Sequence, residues 1–207
     1  LTKGNYSHYH FMGAIEDFFF KYTPSLIMGW HNTNFDRRML HYNFFRNNRY
    51  PYITHVSPNQ EHDGLHIARA AQTLNPETLK TELTEAGNPS LALESLARMQ
   101  GFDTSASHTA YVDAYNSLMI LRIIKNKHKD NWETFLKTST KTSVETLLKR
   151  EGIYSIFENV KGRNMMYLAC TLHPNHCFHE RYESWGYLWD CRRNPEPFLD
   201  LSVNQLR

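Results

Sequence analysis

The sequence has few cysteines and no long apolar run, and both shortages narrow the class of protein. Its three cysteines, Cys170, Cys177 and Cys191, are too few and odd in number for a disulfide framework, which favours a reduced, cytoplasmic protein. No apolar stretch approaches the ~20 residues of a membrane span. No basic-then-apolar leader precedes the first helical pattern. We therefore expect a soluble protein with no membrane contact.

Several common catalytic motifs are also missing. The chain has no Gly-rich phosphate loop, no nucleophilic serine elbow and no dinucleotide fingerprint. The formal net charge is only +2, and the small surplus of basic residues in the second part is compatible with an ordinary solvated surface. Composition alone therefore does not identify a nucleic-acid partner.

The first half of the chain alternates between helical and strand patterns. A helix is predicted where apolar residues recur at helical spacing, at Phe11, Ala14, Ile15, Phe18, Phe19 and Tyr22. The run "LIMGW" (26–30) is apolar throughout and predicts a buried strand, and "RRMLHYNFFRNN" predicts a helix that ends before Pro51. Further on, "HDGLHIARAAQTL" predicts a strand end followed by a helix, and "LALESLARMQ" a helix capped by Ser90. This order predicts an α/β fold.

The second half begins with the longest helical pattern, over residues 109–127, and then changes character. A section rich in lysine and threonine follows, and after it "YSIFENVKGRNMMYLACTLHP" and "SWGYLWDCRR" show the alternation and aromatics typical of β-strands. We predict a domain boundary near Lys129, with one domain over residues 1–128 and a second, β-rich one over 129–207.

His108 and Asp113 are the first candidates for chemistry. On one continuous helix, five residues correspond to about 500° of rotation and about 7.5 Å of rise, so the two side chains would point roughly 140° apart. They share a site only if His108 lies in the preceding loop and Asp113 on the helix. Otherwise His108 is a surface loop residue and Asp113 is a first-turn acid favoured by the helix dipole.

Asp36 and a cysteine–histidine cluster are the other candidates. Asp36 follows the predicted buried strand, where ligands bind in α/β sheets, but for Asp36 taken alone an N-cap is the favoured explanation. The segment "CTLHPNHCFH" offers zinc ligands, although alternation along a strand would divide them between two faces. Its candidate residues are Cys170, His173, His176, Cys177 and His179.

Two of these segments together resemble a known enzyme family. "GWHNTNFD", ending at Asp36, and "SHTAYVDA", containing His108 and Asp113, resemble the second and third motifs of the DnaQ-like, DEDDh class of 3′→5′ exonucleases. The segments between them, "EHDGLHIARA" and "NPSLALESLARMQGFDTSASH", extend the resemblance. "NKHKDNWETFLKTSTKTSVETLL" and "LACTLHPN" are similar to the start of the SH3-like domain that follows in one branch of that family.

The resemblance implies a fold, a reaction and its participants. The fold would be part of an RNase H-like exonuclease domain, comprising its later strands and helices, followed by the start of an SH3-like domain. The reaction would be hydrolysis of single-stranded DNA from its 3′ end to mononucleotides, in DNA repair or recombination. The implied partners are single-stranded DNA and a single-strand DNA-binding protein, and we expect a monomer.

The same resemblance implies the site residues. Asp36 and Asp113 would bind two Mg²⁺ ions, with Mn²⁺ as the alternative, because these ions prefer oxygen ligands. His108 would be the general base, since a histidine titrates near neutrality. Trp30, Asn32 and Phe35 are the candidates for contacts with the substrate.

The family's first motif, Asp-x-Glu on the central strand, is missing from the sequence. "IEDFFF" contains Glu16 and Asp17, but they are adjacent and lie in a predicted helix. We therefore expect an N-terminally truncated fragment of a longer enzyme, inactive by itself. The alternatives are a shortened homologue that binds nucleic acid without cleaving it, and a zinc-stabilised binding module built on Cys170 to Cys191.

Overall fold

A computed structural model describes residues 7–105, 107, 109–150, 152–171 and 186–199 of the chain. It divides into two compact units, Leu1–Lys141 and Thr142–Arg207. The first unit alternates helices and strands, in the order α1 (His8–Lys21), β1 (Leu26–Gly29), α2 (Asp36–Arg46), β2 (Gln60–Asp63), α3 (Gly64–Leu74), α4 (Leu93–Met99), α5 (Ala110–Lys127) and α6 (Lys129–Leu136), followed by a 3₁₀ turn, Lys137–Ser139. The mixed α/β class expected from the sequence is confirmed.

Strands β1 and β2 form a parallel pair in which Leu26 lies opposite Gln60 and Gly29 opposite Asp63. The prediction that β1 is a buried strand is wrong, because all four of its residues are only partly buried. The reason is its position. Among the described residues β1 pairs with β2 alone, so its other edge carries no neighbouring strand.

Helices α1 and α2 pack on each other through a small apolar core. Met12, Phe44 and Ile53 are buried there, with Ile15 and Phe19 packed against them. The predicted apolar stripe of α1 therefore packs against the core only in part. Its other aromatic members, Phe11, Phe18 and Tyr22, are exposed.

Helices α3, α4 and α5 share a second apolar core. Ile67, Leu96, Ile120 and Ile124 are each at most 1% exposed. The predicted capping of α4 by Ser90 is wrong, because the helix begins at Leu93 and its N-cap is Ala92. The Ser90 hydroxyl instead accepts a hydrogen bond from the Ala92 amide.

The second unit contains all but the first residue of helix α7 (Lys141–Arg150), strands β3 (Ile153–Val160), β4 (Arg163–Thr171) and β5 (Leu188–Asp190), and the short helix α8 (Glu196–Leu199). The strands form an antiparallel sheet in the order β3-β4-β5. Lys161 and Gly162 join β3 to β4, and both have positive φ, as a two-residue type I′ hairpin turn requires. The β-rich character expected after the lysine- and threonine-rich section is therefore present.

The predicted boundary near Lys129 coincides with the start of α6, inside the first compact unit. Helix α6 is held there by the buried His62 of β2, whose Nε2 lies 2.9 Å from the Phe135 carbonyl oxygen. The division of the chain into an exonuclease domain and an SH3-like domain remains a prediction.

Candidate active site

A groove of about 840 Å³ runs along β1 in the first unit. Its walls come from β1, from Glu61 of β2, from the first turns of α2 and from one face of α5. The lining is apolar along the strand and polar at the helix starts, where Asp36 and Asp113 both face the groove. Two acids that are 77 positions apart in the sequence are thus brought to one cavity.

Asp36 is the first residue of α2, and the N-cap position belongs to Phe35, which makes no side-chain capping bond. The interpretation of Asp36 as the N-cap is therefore wrong. Its side chain is exposed and forms no hydrogen bond or ion pair with the part of the chain that the structure describes. The carboxylate is available for a ligand in the groove.

Asp113 lies in the first turn of α5, which begins at Ala110 after the N-cap Thr109. This start agrees with the condition set by the five-residue spacing, which needs Asp113 on the helix and His108 before it. His108 itself lies outside the described residues, and its role remains a prediction.

Two of the three residues predicted to contact the substrate line the groove, and the third does not. Trp30 and Asn32 line the groove together with Asp36. The Trp30 indole donates a hydrogen bond to the Leu91 carbonyl oxygen at 3.2 Å, so Trp30 is also tied to the scaffold. Phe35 is 66% exposed and does not line the groove.

Two further acids, Glu61 and Asp63 of β2, support the loop between β1 and α2. Asp63 Oδ1 accepts from the His31 amide at 2.8 Å, and its Oδ2 accepts from the Thr33 hydroxyl at 3.0 Å. His31 has a positive φ of 59°, a conformation that surrounding contacts must hold. Asp63 thus fixes the first half of this loop.

Glu61 holds the second half of the loop. Its Oε1 accepts from Asn32 Nδ2 at 2.7 Å, and its Oε2 accepts from Arg37 Nε at 3.0 Å and from the Thr54 hydroxyl at 3.2 Å. Sequence reasoning missed Glu61 and Asp63. Their alternate spacing on a strand was the available signal, but acids in "QEHD" are more typical of a solvated surface.

Tight backbone packing keeps this loop close to the sheet. A Cβ on Gly29 would lie 2.7 Å from Asn32 Cβ, and one on Gly64 would lie 2.9 Å from the Gly29 carbonyl oxygen. Only glycine fits at these two positions without moving the backbone.

Two histidines lie near Glu61, and His55 Nδ1 is 4.0 Å from its Oε2. The rings of His41 and His55 are stacked with centroids 4.8 Å apart. Burial, and then the charge of His55, lowers the pKa of His41, while burial and Arg37 lower the pKa of His55. Both rings therefore bind a proton less readily than a free imidazole, and Arg37 is the permanently charged partner of Glu61.

The ligands at this site are of the kind that Mg²⁺ prefers, but there are too few of them. Carboxylate oxygens are the ligands that Mg²⁺ prefers, and Asp36 and Asp113 supply them. Within the described residues, however, no group of three or more potential ligands comes together. A pair of ions needs more carboxylates than these two acids provide.

The cysteine–histidine cluster lies mostly outside the described residues, which include neither His173, His176, Cys177 nor His179. Cys170 is on β4, and Cys191 follows β5; both are free thiols. The zinc hypothesis is untested at this segment.

No protein-family model matches the chain. The exodeoxyribonuclease I of Haemophilus influenzae is 28% identical over 190 residues, which cover 91% of this chain and 40% of that protein. The chain is similar to bacterial exodeoxyribonuclease I. This is the branch of the DnaQ-like class that the sequence motifs indicate.

The structures agree with the sequence comparison. The Escherichia coli exonuclease I in complex with a dA16 oligonucleotide matches 96% of this chain and 42% of that one, with a TM-score of 0.77 and 21% identity. An exonuclease I bound to SSB-Ct matches 97% of this chain and 43% of that one, with a TM-score of 0.73 and 20% identity. The chain therefore shares its fold with part of exonuclease I.

The chain spans about 40% of the length of the exodeoxyribonuclease I that it matches. None of the described helices is long and apolar enough to cross a membrane.

Proposed function

We propose that the protein containing this chain is a 3′→5′ exodeoxyribonuclease that degrades single-stranded DNA to mononucleotides. The observation that carries the proposal is the meeting of Asp36 and Asp113, from two separate motifs, in one groove. The similarity to exodeoxyribonuclease I supports it.

Each site residue has a role in phosphodiester hydrolysis. Asp36 and Asp113 would hold divalent ions, two Mg²⁺ with Mn²⁺ as the alternative. Such ions, when bound, polarise the phosphoryl group and stabilise the charge that develops on its oxygens. His108 would accept the proton of the attacking water. Asn32 and the aromatic Trp30 and Phe35 are the proposed contacts with the terminal nucleotides.

Binding of two metal ions needs more carboxylates than Asp36 and Asp113 provide. No Asp-x-Glu occurs anywhere in the sequence. Glu61 and Asp63 do not substitute for it, because both are buried and occupied by protein donors. We propose that a strand carrying Asp-x-Glu pairs with the unpaired edge of β1, and that this chain alone does not cleave DNA.

The apolar lining of the groove supports this arrangement. Leu26, Ile27, Met28, Leu118 and Leu121 face the space beside β1. An unpaired strand edge with an apolar wall favours another strand as its neighbour rather than a charged DNA backbone. DNA would then approach at the polar end, beside Asp36 and Asp113.

The partners and setting are proposed from the same similarity. Single-stranded DNA is the proposed substrate, and a single-strand DNA-binding protein is a proposed partner, because solved exonuclease I structures contain an oligonucleotide or SSB-Ct. We propose a cytoplasmic monomer, with the second unit as the start of an SH3-like domain.

The test compares this chain with the product of its complete reading frame. With Mg²⁺, the complete product is expected to release nucleotides from the 3′ end of a 5′-labelled single strand. Asp36→Asn and Asp113→Asn should each lower the rate about a thousandfold, because several kcal/mol of transition-state stabilisation are lost. His108→Ala should lower it roughly a hundredfold or more. Asp17→Asn, on the exposed face of α1, is the control and should leave the rate unchanged.

Three outcomes would contradict the proposal. A complete product that contains Asp-x-Glu and still releases nothing would favour a binding homologue, and oligonucleotide binding without cleavage would identify one. Full activity of His108→Ala would remove the proposed base. Stoichiometric zinc in the purified protein, retained in Asp36→Asn and Asp113→Asn, would favour the zinc-stabilised module.

A further inference from the structure

Glu61 is a buried acid in the lining of the groove, and its position there is not explained by stability alone. Its side chain is 3% exposed, whereas that of its partner Arg37 is 30% exposed. Replacing a buried ion pair by apolar residues is often neutral or stabilising. The geometry around Glu61 therefore invites a functional explanation.

Glu61 contacts both ends of the segment that carries Asp36. At one end Asn32 Nδ2 donates to Oε1, and at the other Arg37 Nε donates to Oε2. The two ends are also joined directly, since the Arg37 amide donates to the Asn32 carbonyl oxygen at 3.0 Å. Asp36 lies between them, at a helix start that no side chain caps.

Arg37 is the neighbour of Asp36 in sequence and lines the same groove. A guanidinium beside a carboxylate is the natural competitor of a metal ion, because both are cations attracted to the same oxygens. In the structure the Arg37 guanidinium is paired instead with Glu61, which lines the same groove. Asp36 keeps its carboxylate uncommitted within the described residues.

We propose that Glu61 is a positioning residue that holds the Arg37 guanidinium away from Asp36 and so keeps this carboxylate free to bind a metal ion. The inference rests on the proposed function, in which Asp36 is a metal ligand. It assigns Glu61 no contact with the substrate or with the metal.

The test measures metal binding directly. The Kd for Mn²⁺ is determined by electron paramagnetic resonance on the complete product, without substrate. Glu61→Gln keeps the acceptor for Asn32 but removes the charge that holds Arg37, and it should raise the Kd about tenfold or more. The double variant Arg37→Gln with Glu61→Gln removes the competing cation as well, and its Kd should return to the wild-type value.

The control uses the same substitution at another acid. Glu82 is also paired with an arginine, Arg98, but this pair is exposed and lies outside the groove lining. Glu82→Gln should leave the Kd unchanged. Thermal unfolding without metal checks that each variant is folded.

The outcomes separate this inference from the proposed function. If wild-type protein cleaves DNA but Glu61→Gln binds Mn²⁺ normally, the inference fails and the function stands. If Glu61→Gln binds Mn²⁺ more weakly and the double variant does not restore the wild-type Kd, the role of Glu61 is purely structural. This result would also overturn the inference. If wild type neither cleaves DNA nor binds Mn²⁺, the proposed function fails first.

Arg37→Gln alone provides the test if Glu61→Gln does not fold. With the competing cation gone and Glu61 intact, Mn²⁺ should bind at least as tightly as to wild type. A Kd for Mn²⁺ clearly larger than that of wild type would contradict the inference.

Discussion

At the scale of single residues, Asp63 connects two elements that the site depends on. Its Oδ1 accepts from the amides of His31 and Leu65, which fixes the loop after β1 and caps α3. We expect Asp63→Ala to lower the free energy of unfolding by about 2–3 kcal/mol, because buried donors lose their acceptor. Urea unfolding measures this loss.

Asp17→Ala provides the matched control for that measurement. Asp17 is an exposed acid on α1, so its removal should change the free energy of unfolding by no more than about 0.5 kcal/mol. Equal effects of the two substitutions would contradict the assigned role of Asp63.

The sequence revealed some of the site residues and concealed others for a physical reason. Asp36 and Asp113 were recognisable because each belongs to a motif with fixed local spacing. Glu61 and Asp63 act on residues about 30 positions away, through contacts that exist only after β1 and β2 pair. Spacing along one strand carries no information about such partners.

At the scale of elements, the β3–β4 hairpin offers a clean test of backbone conformation. Gly162 has a φ of +83°, and Gly152, in the same unit, is not in the left-handed region; an added Cβ meets no atom at either position. Gly162→Ala should therefore destabilise the second unit by about 1 kcal/mol through backbone strain alone. Gly152→Ala, the control, should have no measurable cost. Equal melting temperatures of the two variants would contradict the assigned turn.

Elements with strong periodicity were predicted from the sequence, and those without it were not. The patterns for α1, α2 and α5 place these helices within a few residues of their observed bounds. Helices α6 and α7 occupy the lysine- and threonine-rich section, where no helix was predicted, because few apolar residues mark a face there. Helix α6 is fixed instead by tertiary contacts, with Phe135 buried and its carbonyl oxygen bonded to His62.

At the scale of the whole molecule, the first unit exposes apolar surface in two places. Within the described residues one edge of β1 has no neighbouring strand, and several aromatic side chains of α1 are exposed. Phe11 and Phe18 are more than half exposed, although the sequence pattern predicts an inward stripe. The predicted stripe therefore packs against the described core only through Ile15 and Phe19.

The histidines of the first unit make its stability depend on pH in a definite direction. His128 is 8% exposed, and its Nε2 lies 2.6 Å from the Thr78 hydroxyl oxygen. Burial, and then Lys127, lowers its pKa from 6.5, so folded protein binds this proton less readily than unfolded protein. Burial also lowers the pKa of His41 and His55.

Because the unfolded state binds more protons, the contribution of these histidines is complete above about pH 6.5 and declines as the pH falls through that value. We therefore expect the urea midpoint of the first unit to fall between about pH 7.5 and about pH 5.5, a window that lies above the ordinary pKa of carboxylic acids. His128→Gln, which cannot take up the proton, should show a smaller fall over the same range. A wild-type midpoint that does not change, or an equal fall in His128→Gln, would show that His128 is not the buried neutral group described.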